Sequence, residues 1–171
     1  MIILEGPDGA GKSTLIQRLS EDLDLPVAKR ACTSTGGPVD NLGHWAAGDV
    51  MGWGKFPISL YDRHPFISEY IYGPVIRGHI DPTMERLHPS YRWRFMAESL
   101  VVLCMPPLDV VKANLAAEQQ MDGVTNHIEL IYALYAAYGS MAPVIRYDYT
   151  QPNSYFRLHH KLLNHLKEKS A

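Results

Sequence analysis

The sequence predicts a three-layer α/β domain: a mostly parallel sheet of five strands flanked by helices. Three observations point there. The chain opens on an apolar run, Met1–Leu4, followed by a glycine-rich turn and then a helical pattern. Short apolar runs then alternate with helical spacing along the rest of the chain, which is the pattern of strands joined by crossover helices. One of those runs, Leu100–Met105 (LVVLCM), is apolar throughout, as expected of a parallel strand covered on both faces.

Taken in order, the first strand ends at Glu5, and Gly6-Pro7-Asp8-Gly9-Ala10-Gly11-Lys12-Ser13-Thr14 follows. This is G-x-x-x-x-G-K-S between a strand and a helix. Its glycines let the backbone turn its N–H groups onto phosphate oxygens, and the following helix adds its positive end. Lys12 has the reach for the β/γ-phosphates, and the Ser13 hydroxyl suits Mg²⁺. Residues Gly6, Asp8, Gly9, Ala10, Gly11, Lys12, Ser13 and Thr14 are therefore assigned to ATP phosphates.

The helix after the loop shows Leu15, Leu19 and Leu23 with Ile16 at helical spacing. Pro26–Ala28 is read as a short second strand. Residues 29–57 are irregular and rich in glycine, with Trp45, Trp53 and Phe56 and a short helix around Asn41–Ala47. Loops of this length in compact domains are usually functional or disordered, and two tryptophans argue against disorder. The tryptophans serve equally as an acceptor-side wall or as cover for the core edge. Ile58–Tyr61 is a third strand ending at Asp62-Arg63-His64. A helix starts at Pro65, a favourable first-turn proline, and carries Phe66, Tyr70 and Ile71. Residues 77–89 are turn-like, and Tyr91–Ser99 is helical with Arg92 and Arg94. After Leu100–Met105, a helix runs through Val111 and Leu115 and breaks at Glu118–Gly123. The next helix is expected to be capped by Thr125 or Asn126, with Glu129 as capping-box partner. Pro143–Tyr147 is the last strand, and a helix through Leu158, Leu162 and Leu166 closes the chain.

Composition narrows the function. The chain has 171 residues, enough for one domain with a proper core. A hydrophobic fraction of 46%, a charged fraction of 20% and a net charge of −2 describe an ordinary globular protein without a basic face, so a nucleic acid polymer is not an expected partner. No apolar run reaches the roughly 18 residues of a membrane span. The first apolar stretch stops at Glu5, so no signal peptide is expected, and the expected location is the cytoplasm. Cys32 and Cys104 are read as free thiols. The histidines show no zinc-like grouping, and His159-His160 fit a solvated helix face.

An apolar strand ending in an acid supplies the Mg²⁺-side carboxylate this architecture needs, and Asp62 has that place. Arg63 adds a planar fork for phosphate oxygens. Here a resemblance becomes specific. Glu5-Gly6-Pro7-Asp8-Gly9-Ala10-Gly11-Lys12-Ser13-Thr14 resembles the E-G-x-D-G-A-G-K-[ST]-T opening of thymidylate kinases, and Asp62-Arg63-His64 resembles their D-R-[YH] motif. Ser68-Glu69-Tyr70-Ile71-Tyr72 is similar to the segment after E-R-S in deoxynucleoside kinases, and Thr35-Gly36-Gly37-Pro38 to the E-P-G-G loop. The resemblance implies a P-loop NTPase fold over residues 1–171, a single kinase domain with a short lid near 117–125, of the size of phage-encoded members (and then in the host cytoplasm). It implies Lys12, Asp62 and Arg63 as catalytic residues, with Ser13 and Asp62 on Mg²⁺. Asp8, Arg63, Phe66, Tyr70, Tyr72 and Trp45 would bind the acceptor. Three departures stand out. Ile67 replaces the family's serine five residues after the acid. The acceptor-phosphate arginine of T-R-E-P-G-G is missing, with Lys29 and Arg30 out of register. The lid segment 117–123 has no Arg or Lys, leaving Lys112, Arg92 and Arg94 as candidates for transition-state charge.

These residues predict ATP-dependent phosphoryl transfer to a deoxynucleoside monophosphate, with a pyrimidine favoured. An acceptor that is already ionised suits a chain with no evident glutamate base after its second strand. The alternatives are a deoxynucleoside kinase using Glu5, Asp40 or Glu69 as base, a kinase for a non-nucleotide compound, and a nucleotide-binding switch. The switch is disfavoured because no N-K-x-D-like guanine motif occurs. A homodimer stays open, since Trp93, Tyr132 and Tyr135 fit either core or dimer contacts.

Overall fold

The computed structural model of the chain describes residues 1–33, 37–53, 57–117 and 123–170. Four parallel strands run in the order β2-β1-β3-β4, where β1 is Ile2–Glu5, β2 Leu60–Asp62, β3 Leu100–Cys104 and β4 Val144–Tyr147. The helices are α1 (Lys12–Leu23), α2 (Leu42–Gly52), α3 (Pro65–Tyr72), α4 (Pro82–Glu85), α5 (Pro89–Glu98), α6 (Leu108–Ala117), α7 (Val124–Met141) and α8 (Ser154–Ser170). A π-helical turn, Gly73–Arg77, continues α3.

The core lies on both sheet faces because the central strands alternate between them. Ile3, Tyr61, Val101 and Leu103 face α2, α3 and α7, where they meet Ala46, Ile67, Ile131 and Tyr135. Ile2, Leu4, Leu60, Val102 and Cys104 face α1 and α8, against Leu15, Leu19, Leu158 and Leu162. That gives three layers, and all strand carboxyl ends share one edge.

The expected fifth strand is reduced to one bridge, Val27 to Leu60. Leu60 N donates to Pro26 O (2.9 Å) and Ala28 N to Leu60 O (2.8 Å), and the pairing goes no further. Pro26 has no N–H to give, and the chain then turns Arg30 toward Asp62. The cap expected for α7 is also different. Gly123, at φ +85°, stands at the N-cap, and Glu129 pairs with Lys112 of α6 instead of folding back on its own helix. The turn-like stretch 77–89 contains α4, capped by Asp81 accepting from Thr83 N. Both cysteines are free, and Cys104 is buried. No helix among the described residues is long and apolar enough to cross a membrane.

Candidate active site

The phosphate loop is set by close backbone approach. Gly6 sits at φ +140°, and a Cβ there would fall 2.3 Å from Cys104 O at the end of β3, so only glycine fits. Gly11, at φ +77°, caps α1 against the Tyr149 ring. Asn114 of α6 braces the loop, its Nδ2 lying 2.7 Å from Gly9 O and 2.8 Å from the Tyr149 hydroxyl. Lys12 is buried, and its Nζ donates to Pro7 O at 2.6 Å. Burial, then the Arg63 charge, lowers its pKa to about 8. Phosphates placed on this loop would supply an anionic partner that raises it again. The Ser13 and Thr14 side chains are exposed in the first turn of α1.

Arg63 reaches back from the β2 end to the same loop. Its φ of +67° is a strained left-handed conformation for a long side chain. Its Nη2 donates to Asp8 Oδ1 (2.8 Å), the Tyr72 hydroxyl (2.7 Å) and Gly6 O (3.2 Å). Tyr72 closes the ring by donating to Asp8 Oδ2 at 2.7 Å. Burial alone would raise the Asp8 pKa, but the Arg63 and Lys12 charges and the Tyr72 hydroxyl hold it well below the usual carboxylate range. Asp8, Arg63 and Tyr72 therefore form one preassembled polar unit.

Asp62 stands differently. Its Oδ2 lies 3.4 Å from Arg30 Nε, and its buried Oδ1 has no hydrogen-bond partner among the described residues. A buried carboxylate oxygen without a donor is costly unless something else satisfies it. A hard cation does, and an ionised carboxylate oxygen is the kind of donor that suits Mg²⁺.

Behind the loop, Glu5 is fully buried. Its Oε1 accepts from His64 N and its Oε2 from the Tyr135 hydroxyl, both at 2.8 Å. Burial pushes its pKa up to about 7, against the pull of the His64 N–H and the Arg63 charge. Glu5 thus ties β1, the turn carrying Arg63 and α7 together. His64 is a core residue, its ring stacked on Phe66 with centroids 5.4 Å apart, and burial lowers its pKa.

The structure sorts the expected acceptor residues. Phe66 is buried and stacked on His64, and offers no free face to a ligand. Tyr72 contributes its hydroxyl to the Asp8–Arg63 unit. Tyr70 is half-buried under the Arg92 guanidinium, 4.7 Å from the ring centroid. Trp45 is half-buried beside His64, and Trp53 is core, donating from Nε1 to Asp49 Oδ2. Glu69 is bound to Arg77 and Asp81 N. Lys112 pairs with Glu129, and Arg94 binds Glu98 and Trp53 O. Thr35, Gly36, Phe56 and lid residues 118–122 lie outside the described residues.

The sequence names Arg30 only as a residue out of register with the loop motif; its position two residues after Ala28 was the signal that it reaches Asp62. Asn114 and Tyr149 carry no such signal, since they sit in unremarkable helix and turn sequence.

No protein-family model and no curated protein matches the sequence. Solved structures do match its shape. The YorR protein of Bacillus subtilis, in complex with phosphorylated GDP, superposes with a TM-score of 0.68 at 21% identity, covering 99% of this chain and 96% of that one. Deoxyadenosine kinase from M. mycoides, with products dCMP and dCDP, superposes with a TM-score of 0.60 at 12% identity, covering 98% of each chain. The same enzyme with bound dATP gives 0.58 at 13% identity, covering 95% of this chain and 98% of that one. The chain thus has the α/β fold that these nucleotide-bound proteins share, over essentially its whole length.

Proposed function

We propose that the protein is an ATP-dependent kinase that phosphorylates a deoxynucleoside monophosphate, with a pyrimidine base favoured. The observation that carries the acceptor class is the Arg30–Asp62 pair. After its bridge to β2 the chain presents an arginine, where a nucleoside kinase would want a carboxylate base. An arginine there suits a phosphate, which arrives ionised and needs no base.

In this reading the donor phosphates lie on the Gly6–Thr14 loop, with Lys12 on the β/γ-phosphates. Mg²⁺ would be held by Ser13 and Asp62 and would neutralise phosphate charge. Arg63, fixed by Asp8 and Tyr72, stands between donor and acceptor. Arg30 leaves Asp62 to hold the acceptor phosphate and aims its oxygen along the line of attack. The attacking oxygen forms its bond to the γ-phosphorus as the bond to the ADP oxygen breaks. Catalysis is mostly positioning and charge neutralisation.

A second reading, phosphorylation of a free 5′-hydroxyl, is favoured by the unpartnered Asp62 Oδ1, which could accept the hydroxyl proton. The test is ADP formation with each deoxynucleoside monophosphate and each free deoxynucleoside offered separately. Turnover on a monophosphate supports the proposal and names the base. Turnover only on free nucleosides replaces it with the second reading. ATP hydrolysis indifferent to every acceptor would remove both.

A further inference from the structure

β4 is an edge strand of the sheet, and its open side is a groove between α7 and α8. The groove encloses about 380 Å³, within the range of small-ligand sites. Leu103, Ile145, Tyr132 and Leu158 give it an apolar and aromatic lining. Arg146, Arg157 and Lys161 also line it. Arg146 donates only to neutral oxygens, Gly139 O at 3.2 Å and Ser140 Oγ at 3.4 Å. No ion pair forms at Arg157 or Lys161 among the described residues. The one carboxylate in the lining, Asp148, is occupied by its own turn. It accepts from Thr150 N (2.9 Å), Thr150 Oγ1 (2.6 Å) and Gln151 Nε2 (3.2 Å). Three cations without a carboxylate partner around an apolar floor, in a chain of net charge −2, are a local excess of positive charge. No residue of the phosphate loop, and neither Asp62 nor Arg63, belongs to this lining.

We propose that this groove is a binding site, separate from the phosphate loop, for a small amphipathic anion: a ring-sized apolar body carrying a carboxylate, sulfonate or phosphate. The body covers the half-buried Ile145, Ala136 and Tyr132, and the anionic group meets Arg157, Lys161 and Arg146. A bare inorganic anion would leave the apolar lining wet, and a neutral apolar compound would leave the cations unmatched. The proposal does not depend on the kinase reading.

The probe is 1-anilinonaphthalene-8-sulfonate, followed by fluorescence on the whole protein. The expected result is saturable binding of one molecule per chain, unchanged by MgATP. Binding should weaken at least about tenfold in R157E/K161E, with circular dichroism unchanged. Methyl NMR should show ring-current shifts at Ile145 and Ala136 of the unaltered protein, which keeps the test independent of how the variant folds. Displacement by 1-naphthyl phosphate but not 1-naphthoate would assign the natural anion to phosphates, and the reverse to carboxylates. Competition by MgATP would overturn the proposal by making the groove part of the donor site. Equal binding by R157E/K161E, or shifts confined to exposed residues such as Phe156 and Met141, would overturn it by showing a solvated basic face with adventitious apolar adhesion.

Discussion

In the proposed reaction, the donor and acceptor sides of the site are built in opposite ways. The donor side is a run of nine neighbouring residues, Gly6–Thr14, whose geometry is written in backbone conformation. Gly6, Gly9 and Gly11 all have positive φ, and Asn114, bonded to Tyr149, braces the loop together with Arg63, which donates to Gly6 O. The proposed acceptor side is made of side chains from separate segments, Arg30, Asp62, Arg63 and Tyr72, with Asp8 reaching in from the loop itself; they are joined by hydrogen bonds and ion pairs across as many as 64 residues of sequence. A site made of backbone can be read from local sequence. A site made of side chains depends on which of them packing brings together.

Substitutions should break this contrast in a graded way. The largest effect is expected for Lys12→Ala, which removes the buried cation of the loop. Its kcat should fall by about 10³ or more, with circular dichroism unchanged. A loss under tenfold would mean that Lys12 is not at the transferring phosphate.

Gly6→Ala comes next. Its Cβ would collide with Cys104 O at 2.3 Å, between two backbones that cannot step aside. Urea unfolding should show about 3 kcal/mol less stability, at the upper end of ordinary overpacking. A neutral outcome would show that β1 and β3 can separate at their ends.

Arg30→Ala probes the acceptor side alone. KM for the monophosphate should rise about 10- to 100-fold while the ATP dissociation constant holds, since a charge-assisted contact to one substrate is lost. Arg30→Lys should recover only part, lacking the planar fork. Equal weakening of both substrates would place Arg30 in a purely structural role.

Glu5 adds a pH dependence. Its pKa rises from 4.5 to about 7 on folding, with burial the largest cause. The folded protein therefore keeps a proton that the unfolded chain releases, and stability falls as pH rises from about 4.5 to about 7, staying low above. Glu5→Gln removes this dependence. The stability difference between wild type and variant, followed by thermal unfolding, should shift against the wild type across that window. A difference that stays flat with pH would mean Glu5 is ionised in both states. Tyr135→Phe should cost about 2 kcal/mol, because it leaves a buried carboxyl oxygen without its donor.

Much of the fold was legible because periodicity and punctuation act locally. The all-apolar Leu100–Met105 run, the proline before Phe66 and the leucine spacing in α1 and α8 each point to one element. The fifth strand failed because Pro26–Ala28 has β-compatible residues but only one partner position on β2, and pairing is a property of two segments. The cap of α7 failed because Glu129 found a lysine on another helix. In the site, Asp62 and Arg63 were visible as a charged end to an apolar strand. Phe66 and the tryptophans fit a ligand wall and a core equally well by sequence, and the packing around His64 places Phe66 and Trp53 in the core.

By itself the sequence determined the parallel α/β layering and the phosphate loop, since apolar spacing and glycine placement constrain the backbone within a few residues. Tertiary structure alone decided that Arg63 is locked to Asp8 and Tyr72, that Arg30 reaches Asp62, and that Glu5 is buried under Tyr135. Those contacts depend on where separate segments cross at the sheet's carboxyl edge, and on the loss of water there, which sets the strength of each charge.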